Sequence, residues 1–239
     1  MNTRVYDDIV DINQESVRSF WDGRALTQNS LKSVLLGNKF PADSADIRNR
    51  RELSLLIEYF QKEKKDLLDL GCGCGRWANN LKDYLKSYVG IDFSSEFIKN
   101  DIKNFSQYKN FEFVNASITS IPSDILARNF DFVIITGVLM YLNDNDLMGF
   151  FQNLKALNPE YIYLQESVSI MDVRLTLSNF YSDELNENYN AIYRKRDDYE
   201  FYISSILNNY KVIKQGLLLD EHTGAREETN AGYWLCKRV

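Results

Sequence analysis

Alternate glycines in Asp69-Leu-Gly-Cys-Gly-Cys-Gly75 sit between a short apolar run and a helical one. A backbone without Cβ atoms can turn sharply there and let a ligand approach closely. The turn alone says little, because some strand-to-helix corners need glycine for sterics only. Its spacing, G-x-G-x-G, differs from the G-x-G-x-x-G of dinucleotide binders, and the chain holds no G-x-x-x-x-G-K-[ST] phosphate loop. Asp92 closes the next apolar run, Tyr88-Val-Gly-Ile-Asp92. An acid at the carboxyl end of that strand faces the crevice where open α/β sheets take ligands, and it suits ribose hydroxyls. Its plainer reading is a helix cap. Ser94, with Phe97 and Ile98 downstream, is the better cap and leaves Asp92 available.

Two residues are candidates for general-base work. His222 is the chain's one histidine and lies in the polar stretch Asp220 to Asn230. Histidine titrates near neutral pH, which suits proton abstraction; the bland alternative is a solvated loop residue. Glu166, in Leu164-Gln-Glu-Ser167, is the second candidate, and otherwise a polar strand terminus. Three cysteines, Cys72, Cys74 and Cys236, are too few for a disulfide framework, and with one histidine they offer no Cys/His metal set. No metal is expected.

Of the 239 residues 44% are apolar and 26% charged, enough to bury a core, and only 3 prolines and no low-complexity tract exclude a disordered or fibrous chain. The 28 Lys and Arg against 34 Asp and Glu give a net charge of -6, which argues against a general nucleic-acid binder, although Arg48-Asn-Arg-Arg51 is a local basic patch. The polar N-terminus does not read as a signal peptide, and the longest apolar run, Phe130 to Leu142, is too short to span a bilayer. The expectation is a cytoplasmic protein without a membrane segment.

These residues need a scaffold to bring them together. To about residue 61 the spacing is helical, with Val17, Phe20, Trp21 and Leu26 near one face and Ile47, Leu53, Leu56, Ile57 and Phe60 in a second segment, divided by turn formers at Leu36 to Pro41. From residue 66 strands and helices alternate. Strands are expected at 66–70, 88–92, 111–115, 130–135 and 161–164, and helices at 76–85, after Ser94, and at 144–157. That order predicts a doubly wound α/β domain with a mainly parallel sheet. Two further strands, 210–219 and 233–237, read as a terminal antiparallel pair. The chain is thus expected to be one domain over 1–239, a helical cover over 1–61 on an α/β core over 62–239.

The combination DLGCGCG, GID with Asp92, NASITSIP and DFVIITGVLMYL resembles the class I S-adenosylmethionine-dependent methyltransferases over roughly residues 66 to 170. The resemblance implies a Rossmann-like, seven-stranded sheet with the last strand antiparallel, and S-adenosyl-L-methionine as cofactor with S-adenosyl-L-homocysteine as product. It implies that Gly71, Gly73 and Gly75 line the methionine part, that Asp69 helps hold the amino group, and that Asp92, followed by Phe93, binds the ribose. Ala116 and Ser117 take the adenine position, where the family usually has an acid in place of Ser117. Thr136 and Gly137 lie beneath the cofactor. No N/D-P-P-Y signature follows the fourth strand, which disfavours amino methylation of DNA bases or protein glutamine.

Phe20-Trp-Asp-Gly-Arg24 is similar to the W-x-x-R segment of some bacterial small-molecule methyltransferases of surface-polysaccharide functions. There Trp21 folds over the cofactor and Arg24 pairs with its carboxylate; otherwise Trp21 is core and Arg24 surface. Tyr189-Asn-Ala-Ile-Tyr-Arg-Lys-Arg196 is similar to the A-I-Y-R segment of the same group. Tyr141, Tyr181, Tyr193 and Arg194 are the expected acceptor contacts, Arg194 being suited to phosphate or carboxylate. The resulting expectation is O-methyl transfer to a small anionic acceptor (a sugar, nucleotide sugar or phosphoryl or phosphoramidate precursor) in bacterial capsular polysaccharide biosynthesis. The alternatives are an RNA or protein methyltransferase and a non-catalytic module that binds the same cofactor.

Overall fold

Strands that carry apolar side chains on both faces must be covered on both faces, and Leu67, Leu68, Leu70 and the run Phe132 to Ile135 are all fully buried. In the computed structural model, which describes residues 3–27, 31, 34, 41, 43–183 and 185–239, these runs form the middle of a seven-stranded sheet. The chain begins with β1 (Thr3–Tyr6), α1 (Gln14–Thr27) and α2 (Ser44–Phe60). The alternating part follows: β2 (Lys65–Leu70), α3 (Arg76–Leu81), β3 (Leu85–Asp92), α4 (Ser95–Asn104), β4 (Phe111–Asn115), α5 (Ser123–Leu126) and β5 (Phe132–Thr136). A 3-10 turn (Leu139–Tyr141) leads to α6 (Asp144–Leu157) and β6 (Tyr161–Ser169). The chain ends with β7 (Leu175–Ser182), β8 (Glu187–Tyr193), α7 (Arg196–Ser205), β9 (Tyr210–Leu217) and β10 (Thr229–Arg238).

The large sheet has the order β4-β3-β2-β5-β6-β10-β9. The first five strands are mutually parallel, and β10 alone runs against its neighbours, pairing Thr229 to Lys237 with Ser169 to Tyr161 on one side and Gly232 with Leu217 on the other. This is the expected fold: a doubly wound, Rossmann-like sheet with the last strand of the chain antiparallel. One face is closed by Leu56 and Phe60 of α2 with Trp77, Ala78 and Leu81 of α3. The other is closed by α6 and α7 through Leu147, Phe150, Phe151, Leu154, Tyr199 and Ile203. Because β3 and β5 both flank β2, the chain winds in opposite directions from β2, and the crevice above its carboxyl end is where ligands of such sheets bind.

The segment expected as a helical cover contains α1 and α2 but opens with a strand. β1 pairs antiparallel with β7, Thr3 opposite Ser178, and β7 pairs with β8, giving a second sheet of order β1-β7-β8. Four residues of β1 carry too weak an alternation to identify a strand whose partner lies about 170 positions away. This small sheet packs Leu175, Leu177, Tyr189 and Ile192 against Phe20 and Trp21 of α1 and against Met140 and Tyr141. The turn formers read at 36–40 lie outside the described residues. Among the described residues no helix is long and apolar enough to cross a membrane.

Gly75 begins α3 at φ +67°, and a Cβ there would stand 2.5 Å from Phe105 Cε2. Gly75→Ala is therefore expected to lower the unfolding free energy by about 1–3 kcal/mol, as overpacking of a filled core does. Urea titration checks this; a midpoint equal to that of the unaltered protein would contradict the packing described.

Candidate functional site

The glycine turn is built by hydrogen bonds that leave its outer edge open. Gly71 and Cys72 donate to Ile91 O (2.8 and 3.0 Å), which ties the turn to the end of β3. Gly73, at φ +55°, donates to Asp92 Oδ2 at 2.9 Å, and a Cβ on it would stand 2.9 Å from Val34 Cγ1. Asp92 Oδ1 accepts from Ser94 N at 2.8 Å, while Ser94 Oγ caps α4 by accepting from Phe97 N, as the sequence suggests. Burial pushes the Asp92 pKa up to about 6 against the opposing pull of those two N–H groups.

Above this turn lies an open cavity whose empty space, with the solvent at its mouth, is about 700 Å³. Of the residues singled out from the sequence, Trp21, Gly71, Gly73, Asp92, Phe93, Thr136, Gly137 and Tyr141 line it. Others stand behind the wall. Asp69 is fully buried, its Oδ2 accepting from Tyr88 OH at 2.8 Å and its Oδ1 without a hydrogen-bond partner; burial lifts its pKa to about 7. A Cβ on Gly75 would point at Phe105 and Asp101, away from the lining. Ala116 follows β4 and donates from its N–H to Asp92 O (3.1 Å), and the Ser117 hydroxyl is shared with Thr119 Oγ1 at 2.8 Å.

Sequence reasoning missed Arg48, Arg76 and Gln165, which also line the cavity. Arg76 Nη1 donates to Glu52 Oε2 (2.6 Å) and Asn49 Oδ1 (3.2 Å), and Nη2 donates to Thr136 Oγ1 (3.2 Å). Glu52 is fully buried, and its other oxygen accepts from Tyr163 OH at 3.1 Å. Arg48 is half-buried, and burial lowers its pKa, with Glu52 opposing and Arg76 adding to that effect. The signal was present: Arg48, Glu52, Leu56 and Phe60 are four apart, on one helical stripe whose later members are core.

Glu166 and Arg194, read as a reserve base and an acceptor contact, turn out to hold one loop from opposite sides. Glu166 Oε1 accepts from Val138 N and Leu139 N, both at 2.9 Å, and Oε2 accepts from Met140 N at 3.2 Å. Burial lifts its pKa to about 7, and those three N–H groups restrain the rise. Arg194 is almost fully buried and donates to Leu139 O (3.0 Å), Leu142 O (2.7 Å) and Asp144 Oδ1 (2.8 Å). Neither lines the cavity, because its polar atoms are spent on this backbone.

His222 stands outside the lining, its side chain 53% exposed with Nε2 3.6 Å from Asp43 Oδ1. Its loop is turned toward α2, where Ser44 Oγ donates to His222 O at 2.8 Å and Arg51 pairs with Asp220. Tyr181 is exposed on β7 and donates to Asn186 Oδ1 at 2.6 Å. Tyr193 lies with Tyr141 and Tyr189, whose hydroxyls are 2.7 Å apart, and Arg24 is close enough to Tyr141, Glu187 and Tyr189 to interact with them electrostatically. Among the described residues no cluster of His, Cys, Asp and Glu has the arrangement of a metal site.

Residues 61–212 match the family model described as a methyltransferase domain. The chain is 30% identical over 142 residues to phosphoethanolamine N-methyltransferase 1 of Zea mays, covering 59% of this chain and 27% of that protein. It is 33% identical over 131 residues to the probable S-adenosyl-L-methionine-dependent methyltransferase TehB of Haemophilus influenzae, covering 52% and 44%. The chain thus spans about a quarter of the length of the maize relative and less than half of TehB. Among solved structures, phosphoethanolamine N-methyltransferase 1 of Haemonchus contortus, in complex with phosphoethanolamine and S-adenosylhomocysteine, superposes with a TM-score of 0.70 at 18% identity over 95% of this chain and 49% of that one. Magnesium protoporphyrin IX methyltransferase of Synechocystis gives 0.64 at 12% identity over 97% and 100%.

Removing Arg194 leaves the carbonyls of Leu139 and Leu142 without their buried donor and leaves Asp144 with Arg174 alone. Arg194→Met is expected to cost about 1–3 kcal/mol of stability by chemical denaturation, the range for leaving buried hydrogen-bond acceptors unsatisfied. A variant of unaltered stability that only weakens acceptor binding would restore Arg194 to the acceptor site.

Proposed function

We propose that this chain, which belongs to the methyltransferase-domain family, is an S-adenosylmethionine-dependent enzyme that methylates a small acceptor carrying an anionic, phosphoryl-type group, on an amine nitrogen. The cavity's residues fit the cofactor. Gly71 and Gly73 present bare backbone to the cavity, Asp92 offers a carboxylate to a ribose diol, and Trp21, Phe93 and Phe97 supply an apolar flank. Bound there, the cofactor supplies an electrophilic methyl group on a sulfonium. In this reading Ala116 and Ser117, beside Asp92 at the end of β4, keep the adenine side.

The observation that carries the nitrogen reading is the similarity to plant phosphoethanolamine N-methyltransferases, at 30% and 34% identity over 59% and 49% of this chain, and the described wall is compatible with it. Among the described lining residues there is no histidine, and Asp92 is the one carboxylate, already accepting two backbone N–H groups. Glu166 is committed to three N–H groups and His222 lies outside. An ammonium acceptor must give its proton to solvent before its lone pair can attack the methyl carbon, and the wall's work is then positioning. The tyrosines 141, 189 and 193 with Arg24 form the group suited to an anionic end, through hydroxyl donors and a cation. The names of the plant relatives support the same acceptor class. A second reading, oxygen methylation in surface-polysaccharide synthesis, draws on the W-x-x-R and A-I-Y-R segments; an already ionised phosphoryl oxygen would equally need no base.

Labelled cofactor offered to phosphoethanolamine, nucleotide sugars and RNA separates the readings. Label is expected in the phosphorylated amine; label chiefly in a nucleotide sugar would favour the second reading, and label chiefly in RNA would overturn both.

Asp92 also predicts a pH dependence. Its ionised form accepts the ribose hydroxyls, so ligand binding favours loss of the proton. Affinity for S-adenosylhomocysteine should be full above about pH 6 and fall as pH drops through that value, by at most roughly tenfold per unit. Asp92→Asn should flatten this profile and weaken binding at pH 8 by about 10- to 100-fold, as loss of charged hydrogen bonds does. Calorimetric titration across pH measures both.

A further inference from the structure

Two guanidinium groups and one carboxylate meet on the wall formed by α2 and α3. Arg76 is fully engaged, bonded to Glu52, Asn49 and Thr136 and lying 4.4 Å from the Trp77 ring centroid. Glu52 divides its oxygens between Arg76 and Tyr163. Arg48 faces the same cavity, and its Nε is buried with no hydrogen-bond partner. Among the described residues Arg48 makes no hydrogen bond or ion pair, so one positive charge on this wall is left uncompensated. An unpaired cation withdrawn from water is costly, and an anionic ligand group offsets that cost.

The topology decides which group. Asp92 ends β3 on one side of β2, whereas Arg76 reaches Thr136 at the end of β5 on the other side. A cofactor whose ribose is at Asp92 and which passes over Gly71 and Gly73 has its amino-acid end on the β5 side. S-adenosylmethionine carries one anionic group, the carboxylate at that end. We infer that Arg48 binds the methionine carboxylate of the cofactor and makes the enzyme selective for a donor that carries it. This rests on the proposed placement of the ribose at Asp92, and it takes the carboxylate from Arg24, whose charged and hydroxyl neighbours lie on β8 and the 3-10 turn instead.

The carboxylate is chemically unchanged by transfer, so Arg48 stabilises donor, transition state and product alike. Such uniform binding lowers the KM for the donor and leaves kcat unaltered. Arg48 is a specificity residue in this account, with no part in the chemistry.

Calorimetry with S-adenosylmethionine, S-adenosylhomocysteine and decarboxylated S-adenosylmethionine on the unaltered protein, Arg48→Met and Arg48→Lys tests the inference. The unaltered protein should prefer the carboxylated donor by roughly 10- to 100-fold. Arg48→Met should lose that preference by weakening the carboxylated ligands while sparing the decarboxylated one, and Arg48→Lys should keep part of it. The unliganded Arg48→Met variant should melt no lower than the unaltered protein, because an unpaired charge is removed. A preference that survives in Arg48→Met would overturn the inference, as would a melting midpoint several degrees lower, which marks a structural role. Unchanged cofactor affinity with a raised KM for the acceptor would assign Arg48 to the acceptor and overturn it too, while leaving the methyltransferase reading intact. Failure of the unaltered protein to bind S-adenosylmethionine would instead remove that underlying reading.

Discussion

The loop between β5 and α6 has its N–H groups gathered by one buried acid and its carbonyls by one buried base. Glu166 on β6 takes the amides of Val138, Leu139 and Met140, and Arg194, just past β8, takes the carbonyls of Leu139 and Leu142. A loop inside a fold must find partners for every polar backbone group, and here two side chains meet much of that requirement. Everything the cavity presents on that side depends on it. Gly137 and Val138 form its floor, Tyr141 its wall, and Tyr141 meets both Trp21 of α1 and Tyr189 of β8. Arg194 also fixes Asp144 in the first turn of α6, and Arg174 reaches the other oxygen of that carboxylate. One electrostatic clamp therefore registers the large sheet, the small sheet and α6 against each other.

A second group of buried acids lies under the glycine turn. Asp69 and Asp101 each have one oxygen without a hydrogen-bond partner, and burial, with Asp92 and Asp69 adding to it at Asp101, lifts the Asp101 pKa to about 9. Between their unfolded pKa values and these raised ones the native state holds protons that the unfolded chain has released, so these acids favour folding more as pH falls. Near neutral pH Asp101 is thus protonated and Asp69 partly so, and the cost of burying these acids is met by neutralisation.

What the sequence revealed and what it hid follow from the range of the interactions involved. The strands β2 to β6 and the α6 boundaries are legible because each is set by a local run of apolar residues between turn formers, and Gly71, Gly73, Asp92, Phe93, Thr136 and Gly137 of the lining follow from their places at or just past strand ends. Ser94 as the α4 cap is likewise local. Glu166, Arg194 and His222 were assigned roles from position along the chain, but their tasks are fixed by partners 26 to 178 residues away. The small sheet was hidden for the same reason. Arg48 escaped because it was read as part of a charge run, whereas its spacing from Glu52 and Leu56 places it on the inward stripe and Arg51 on the side that meets Asp220.

The pairing of β1 with β7 joins Thr3 to Ser178, so the small sheet closes a loop of most of the chain. Loop-closure entropy delays such contacts, while β2, β3 and β5 draw on neighbours close in sequence. The part of the cavity built on the glycine turn is thus expected to take shape before the part lined by Trp21 of α1 and backed by the small sheet. If the proposed function holds, a chain caught part-way is one that holds its cofactor and has nowhere to send the methyl group.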